Sequence, residues 1–471
     1  MNCRLALATV FSAALSPLFA EAPSAIAIKD AHIVTVSGAD LPKGTVLLRN
    51  GLIQDVGPNV NIPADTWVID GAGLTVYPGF IDGLGTWGIP GASAPAGGSA
   101  RTAGAGPQAP LPQTTPTSTP TPRIRGPEDR PQTNSDQRAA DLVSPTDNRL
   151  DTARAAGFTT SATFPNKGIF EGLGAMIDLA GERSGDMVIA QPIGQQVAFR
   201  VGGGGMGRAF PSSLMGNVSY VRQLYLDLDH YKQAKQAYAG HTSGTKRPEY
   251  DRYLEGLTES PRLLLPADEW QQIDRMLSFG AELKVPFILY GLHEAYKRVD
   301  LIKTANTPTL ISLKWPEKPR DADPSDIPNY RDLVMRDQAP TVPGLFAKAG
   351  VKFGFYSDGV EAAPDLKKAL KKAIDAGLPR PDAIRALTLN VAEMYGVADR
   401  LGSIEKGKIA NLTVIKGEAF DDKSTIEYVF IDGKQFRPSK EAQGGPPAGA
   451  ASGSERRPAL TDANETKETN Q

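Results

Sequence analysis

From residue 26 to residue 78, short β-branched runs alternate with turn pairs. AIAIKDAHIVTV, GTVLLRNGLIQDVG and TWVIDGAGLTVYPGF are punctuated by Asn50-Gly51 and Asp70-Gly71. This is the pattern of strands joined by tight turns. It returns near the end in IANLTVIKG and TIEYVFIDGKQF, with Asp432-Gly433 as the turn. Two strand clusters flanking a long middle predict one small β-unit built from both ends of the chain. The middle has a different period. Trp270, Ile273, Leu277 and Ala281 share a helical face, which predicts a helix over 266–283. VPFILYGL (285–292), PTLISLKW (308–315) and VKFGFYSD (351–358) read as buried strands, with helices over 293–305, 363–377 and 381–396. Pro381 suits the first turn of its helix. Strand–helix alternation argues for a parallel α/β sheet, open or closed into a barrel.

Two stretches resist this pattern. Residues 88 to about 133 are rich in Pro, Gly, Ala and Thr, including APLPQTTPTSTPTPRIRGP. Such a stretch buries too little apolar area to offset chain entropy, so it reads as a linker inserted after the first strand of the middle domain. The polar tail over 438–471 reads as disordered for the same reason. At the start, Arg4 precedes the apolar run LALATVFSAALSPLFA (5–20), too short and too Pro-broken to span a membrane. It reads as a secretory signal cleaved after Ala20, which predicts an exported protein, periplasmic or secreted from a bacterial cell. Cys3, the single cysteine, falls inside that signal, so the mature chain is expected to hold neither a disulfide nor a thiolate ligand. A formal net charge of −2 gives no electrostatic case for nucleic acid. No later segment has the length of a membrane span.

The chemistry-bearing residues are few. YPGFIDGLGTWG (77–88) runs from an apolar strand into a turn, and no His, Cys or Glu follows Asp82 there. The chain has four histidines. His32 sits in a strand of the first block. His230 and His241 flank the end of a helix whose core stripe is Val221, Leu224, Leu228, Tyr231 and Tyr238. His293 alone follows a strand of the middle, so it alone is placed to reach the mouth of the domain. One imidazole and one or two aspartates make a poor zinc site. Gly202, Gly204 and Gly207 satisfy GxGxxG without a following Lys-Ser/Thr, which reads better as a loop than as a nucleotide cradle. The lysines of DLKKALKKAIDAG read as a solvated helix face.

Three segments carry a family resemblance. PKGTVLLRNGLIQDVGPNVNIPADTWVIDGAGLTVYPGFID resembles the opening of the amidohydrolase superfamily, the urease- and dihydroorotase-like metal-dependent hydrolases. ALTLNVAEMYGVADRLGSIEKGKIANLTVIKG resembles its closing segment, and AGFTTSATFPNKGIFEGLGAMIDLAG its second barrel strand. The resemblance implies a distorted (β/α)8 barrel plus a small β-sandwich. Domain limits follow: a signal at 1–20, a composite sandwich from 26–78 and 397–437, a barrel over 79–396 with its insertion at 88–133, and the tail at 438–471. It also implies hydrolysis of non-peptide C–N bonds by water activated on zinc or another divalent metal. The family's His-x-His positions at the end of the first barrel strand hold Leu84 and Thr86. A histidine is due four residues after Pro286, where Tyr290 stands. Another is due in PTLISLKW, which has Lys314 and Trp315 but none. The closing aspartate is present as Asp358.

The expectation is therefore a family member without a metal cofactor, inactive or divergent in the family's chemistry. Leu84, Thr86 and Tyr290 are expected to line a substrate pocket. Asp358 and His293 are the candidate catalytic groups. The residues by themselves favour the plainer readings, Asp358 as a turn residue and His293 as a solvated residue at a helix start. Asp82 is expected to support the turn rather than the chemistry. The alternative functions are a non-catalytic scaffold that pairs with an active paralogue, and a solute-binding barrel. Expected partners are a small-molecule ligand and a homo- or hetero-oligomeric subunit.

Overall fold

A computed structural model describes residues 25–92, 130–199, 211, 213–241, 244, 246–318, 327, 329–439 and 443. The expected signal, residues 93–129 of the insertion expected over 88–133, the GxGxxG stretch and nearly all of the tail lie outside the described residues.

In chain order the strands are β1 (Ala25–Ile33), β2 (Leu41–Arg49), β3 (Leu52–Gly57), β4 (Trp67–Asp70) and β5 (Leu74–Pro78). The middle holds β6 (Phe80–Gly85), β7 (Phe158–Thr163), β8 (Phe170–Leu173), β9 (Ala175–Asp178), β10 (Val188–Ala190) and β11 (Gln195–Val197). It continues with β12 (Leu263–Ala267), β13 (Phe287–Gly291), β14 (Thr309–Ser312) and β15 (Phe353–Tyr356). β16 (Leu412–Lys416), β17 (Thr425–Ile431) and β18 (Lys434–Phe436) close the chain. At the turn after β2, Asn50 and Gly51 take φ of 53° and 77°, the left-handed geometry that a two-residue hairpin needs.

The terminal strand clusters join as expected. β16 pairs antiparallel with β5, giving one eight-stranded sheet in the order β18-β17-β16-β5-β1-β2-β3, with β4 paired to β1. Ile28, Val46, Val76, Leu412, Val414 and Phe430 form its core.

The middle is mixed α/β. A four-stranded sheet runs β10-β9-β7-β6, and a six-stranded sheet runs β15-β14-β13-β12-β11-β8. From β11 to β15 every neighbouring pair is parallel. Parallel strands are covered on both faces, which is why LLLPA and FILYG read as nearly unbroken apolar runs. Strand alternation still sorts the side chains. Leu264, Ile288, Tyr290, Leu310 and Tyr356 join Ile81 and Leu84 in one cluster. Leu263, Leu265, Leu289, Ile311 and Phe355 join the helix-covered cluster. The free edges of the two sheets meet. A Cβ on Gly83 of β6 would lie 2.7 Å from the Phe355 carbonyl oxygen of β15, so this strand approach requires glycine.

Asn411 ties the terminal sheet to the middle. Its Nδ2 donates to Asp178 at 2.5 Å and to Thr160 Oγ1 at 3.1 Å. Its Oδ1 accepts the Asp432 N–H at 2.8 Å, and its carbonyl accepts the Gly79 N–H at 2.8 Å.

Three element boundaries differ from the sequence pattern. The helix expected over 266–283 begins at Trp270, because Leu263–Ala267 is strand β12. Pro266 suggested a first helical turn. It is tolerated in the strand because β11 pairs only with Leu263 and Leu264, so Pro266 lies past the last pair on that side. The segment 293–305 is a short 3-10 turn, Ala295–Lys297, followed by helix Val299–Ala305. The segment 381–396 divides into helices Arg380–Ala386 and Leu389–Tyr395 around Thr388, whose φ and ψ of −132° and −96° are not helical. Among the described residues no helix is long and apolar enough to cross a membrane.

Candidate functional site

The strand-end cavity is built by register. Ala267 stands opposite Gly291, and Ser312 opposite Tyr356, so the residues that follow β12, β13, β14 and β15 emerge together at one edge of the sheet. The carboxyl ends of parallel strands are where α/β proteins place their ligands. A cavity of about 790 Å³ opens there, lined among others by Asp268, His293, Lys314, Trp315, Tyr356 and Asp358.

Asp268 and His293 form the centre. His293 donates Nδ1–H to Asp268 Oδ1 at 2.6 Å, and its main-chain N–H reaches the same oxygen at 3.2 Å. The imidazole is 8% exposed and packs edge-on to Trp315 at 6.1 Å between ring centres. Burial is the largest influence and opposes its positive charge, but the Asp268 carboxylate and its smaller neighbours together hold the imidazole pKa above the usual histidine value. Asp358 and the main chain of Lys314 push the same way. Nε2 is buried and makes no hydrogen bond of normal geometry.

Asp358 sits one residue beyond Ser357, past the end of β15. Its Oδ2 accepts the Ser312 hydroxyl at 2.7 Å, and that hydroxyl also accepts the Lys314 N–H at 3.1 Å. Burial raises the Asp358 carboxyl to about 6, against the Ser312 hydrogen bond and the charges of His293 and Lys314. Tyr356 is buried too, which raises its phenol well above the usual range against a weak interaction with Ser312, and its hydroxyl makes no hydrogen bond of normal geometry. The backbone leaves both strands under strain: Leu292 has φ of 70° and Asp358 of 48°. Neither is glycine, so packing must hold each in place, a situation common at functional sites.

The two expected catalytic residues, His293 and Asp358, thus line one cavity. The three residues expected to line a pocket are placed otherwise. Leu84 and Tyr290 are fully buried within the strand layer, where Tyr290 meets Tyr356 edge-on at 6.2 Å and donates its hydroxyl to the Val197 carbonyl at 2.8 Å. Thr86 is turned toward Arg149, which donates to its hydroxyl at 3.1 Å and its carbonyl at 2.8 Å. Asp82 accepts from Trp87 Nε1 at 2.6 Å, from Ser357 Oγ at 2.5 Å and from two main-chain N–H groups, those of Ser357 and Leu84. Complete burial raises its carboxyl pKa despite those donors.

Asp268, Ser312 and Tyr356 carry the site without having been singled out from the sequence. The available signal was the run RLLLPAD, a buried strand ending in aspartate like the FYSD of β15. Reading Pro266 as a helix start concealed it.

The donor set does not fit the divalent site that the resemblance implies. An alkyl group and a hydroxyl stand at Leu84 and Thr86, and the imidazole of the strand-end cavity has its Nδ1 on Asp268. Among the described residues no three His, Cys, Asp or Glu converge as metal ligands.

Comparison with known proteins agrees with this architecture. Residues 273–436 match the sequence model of the amidohydrolase family. A stretch of 69 residues is 38% identical to adenine deaminase of Moorella thermoacetica, covering 15% of this chain and 11% of that one. Another of 71 residues is 37% identical to N-acetylglucosamine-6-phosphate deacetylase of Haemophilus influenzae, covering 15% of this chain and 19% of that one. The chain thus aligns with less than a fifth of the length of either. An amidohydrolase from Thermotoga maritima MSB8 superposes with a TM-score of 0.65 at 22% identity, over 88% of this chain and 100% of that one, a likeness of fold alone. Residues 273–436 thus carry the sequence pattern of the amidohydrolase family, and the fold is in keeping with it.

Proposed function

We propose that the protein is an exported small-molecule binder built on an amidohydrolase scaffold, and that it does not carry out the family's metal-dependent hydrolysis. The sheets of the middle are read as a distorted (β/α)8 barrel over 79–396, closed where β15 meets β6. The terminal strands, 26–78 and 397–437, are read as the composite β-sandwich. The observation that carries the functional reading is the pairing at the mouth. His293 is held by Asp268 and Asp358 by Ser312, while Leu84 and Tyr290 fill the strand layer where imidazoles would be needed. A cavity remains, and its open polar atoms belong to the protein rather than to a metal shell.

The test is binding by the whole chain with and without chelator. Trp315 lies against His293, so its fluorescence reports occupancy, with Trp315→Phe as the control. Chelator-insensitive binding of a small polar molecule supports the reading. Turnover of a C–N substrate that is lost with chelator sinks it. The exported state predicts a mature N-terminus near Glu21 by mass spectrometry.

A second reading has one observation in its favour. His293 holds Nδ1 on a carboxylate and leaves Nε2 open, the arrangement of a general base oriented by an acid. On that reading the chain is a C–N hydrolase working by its own residues. Hydrolysis that survives chelator and is abolished in His293→Gln would establish it. A scaffold role beside an active paralogue requires a stoichiometric complex in co-purification.

A further inference from the structure

Two buried polar atoms at the floor of the strand-end cavity make no hydrogen bond of normal geometry: Nε2 of His293, beside the Lys314 main chain, and the hydroxyl of Tyr356, beside Ser312. Their residues are 8% and 1% exposed, and both line the cavity. Leaving a buried donor unpaired is costly, so an arrangement with two of them in one cavity calls for a ligand that satisfies them. Each is a donor. Nδ1 of His293 is already on Asp268, and a carboxylate facing that nitrogen favours the protonated ring, which presents Nε2–H. The Tyr356 phenol stays protonated.

The charge on the walls has the matching sign. Among the acids, Asp268 faces the imidazole, Glu361 pairs with Arg149 at 3.4 Å, and Asp365 pairs with Lys368 at 3.5 Å. Asp358 takes the Ser312 hydroxyl and lies in the field of Lys314. Among the described residues Lys314, Lys318 and Lys372 line the cavity without an ion pair, with Asp358 and Glu317 as the acids of the lining not already paired with a base. The floor offers two donors, and the rim offers three lysines outside any ion pair among the described residues.

We infer that the cavity binds a small organic carboxylate, its two oxygens accepting from His293 Nε2 and the Tyr356 hydroxyl, with Lys314 balancing its charge. The inference rests on the reading of this cavity as a small-molecule site. A single negative charge suits the floor better than a phosphate dianion, because Asp268 and Asp358 stand close by and repel a second charge. The ring of Trp315 provides an apolar wall for the carbon end of the ligand.

The test uses the full chain labelled with ¹⁵N-histidine, the His293 signal being assigned by its loss in His293→Gln. Acetate, glycolate, acetamide and inorganic phosphate are titrated separately. The carboxylates should shift the Nε2 resonance saturably, acetamide should leave it in place, and phosphate should bind at least about tenfold more weakly. Tyr356→Phe should weaken the carboxylates by about tenfold, the loss of one hydrogen bond to a charged group. Lys314→Ala, an exposed position that leaves the fold untouched, should weaken them and flatten their salt dependence. Acetamide binding as well as acetate, or phosphate binding better, would overturn the carboxylate assignment while leaving the ligand cavity standing. An unchanged affinity in both variants would also overturn it. Failure of all four probes to shift His293 would remove the assignment and the binding reading together.

Discussion

Ser357 donates both its main-chain N–H and its hydroxyl to the carboxylate of Asp82, 275 positions earlier, at 2.9 and 2.5 Å. The bond joins the middle of β6 to the end of β15, the two sheet edges that meet. Trp87 Nε1 completes the arrangement at 2.6 Å. A completely buried carboxylate is costly unless donors surround it, and here four do. The role is architectural: Asp82 holds the first strand of the middle against the last.

Asp82→Ala therefore strands the Ser357 and Trp87 donors in a dry interior. The expected cost is about 3 kcal/mol or more, read as a lowered midpoint in urea. A change under about 0.5 kcal/mol would show that this contact does not hold the strand edges together.

The Asp178 carboxyl is predicted to make stability fall with rising pH. Burial, against the Asn411 and Thr160 hydrogen bonds and with the Asp432 charge adding to it, raises its pKa to about 7. The folded value lies above the unfolded one of about 3.9, so its contribution is full at low pH and is lost as pH rises through about 7. Each unit of separation corresponds to about 1.4 kcal/mol. Asp178→Asn should match the parent near pH 4 and melt higher near pH 8. Parallel melting curves of parent and variant across that range would refute the assignment.

Asp268→Asn removes the carboxylate that holds His293 charged. The His293 pKa should drop, because burial is then opposed only by smaller effects. A proton-resonance titration of the imidazole measures it directly. The raised folded pKa also means that the pair's stabilisation is present below the unfolded value of about 6.5 and fades as pH rises through the folded one. The variant should thus lose stability mainly on the acidic side, and an unchanged imidazole titration would count against the pair.

Chelator should leave the melting temperature unchanged. The residues at Leu84, Thr86 and Tyr290 offer no imidazole, and a site with one imidazole and one carboxylate holds zinc weakly. Elemental analysis of protein purified without chelator gives the complementary measurement. One stoichiometric, chelator-sensitive zinc ion per chain would overturn the prediction.

Local patterns decided much of this molecule. β-Branched runs separated by Asn-Gly and Asp-Gly placed β1 to β5 and β16 to β18, because strand period and turn chemistry act over a few residues. Composition alone placed the imidazoles: with four histidines in the chain and none at 84, 86 or 290, no fold could assemble the family's ligand set at those positions. The identity of the groups at the mouth was legible in the same way for His293 and Asp358, each following a recognisable apolar strand.

Tertiary structure decided which of those groups meet. Asp268 and His293 are 25 positions apart and become neighbours only because β12 and β13 pair in parallel with Ala267 opposite Gly291. A register shifted by one residue would turn these side chains to the other face, and nothing local specifies that register. The Pro266 strand was hidden for a related reason. Proline is acceptable there only because β11 ends early, a fact about a neighbour rather than about the segment itself. Burial was also beyond local pattern: the same aspartate type is a fourfold acceptor at 82, a lifted carboxyl at 178 and an imidazole partner at 268. Sequence determines which side chains exist and which local shapes they favour. The chemistry of each carboxylate depends on solvent exclusion and on partners brought from distant strands, and only the packed fold supplies both.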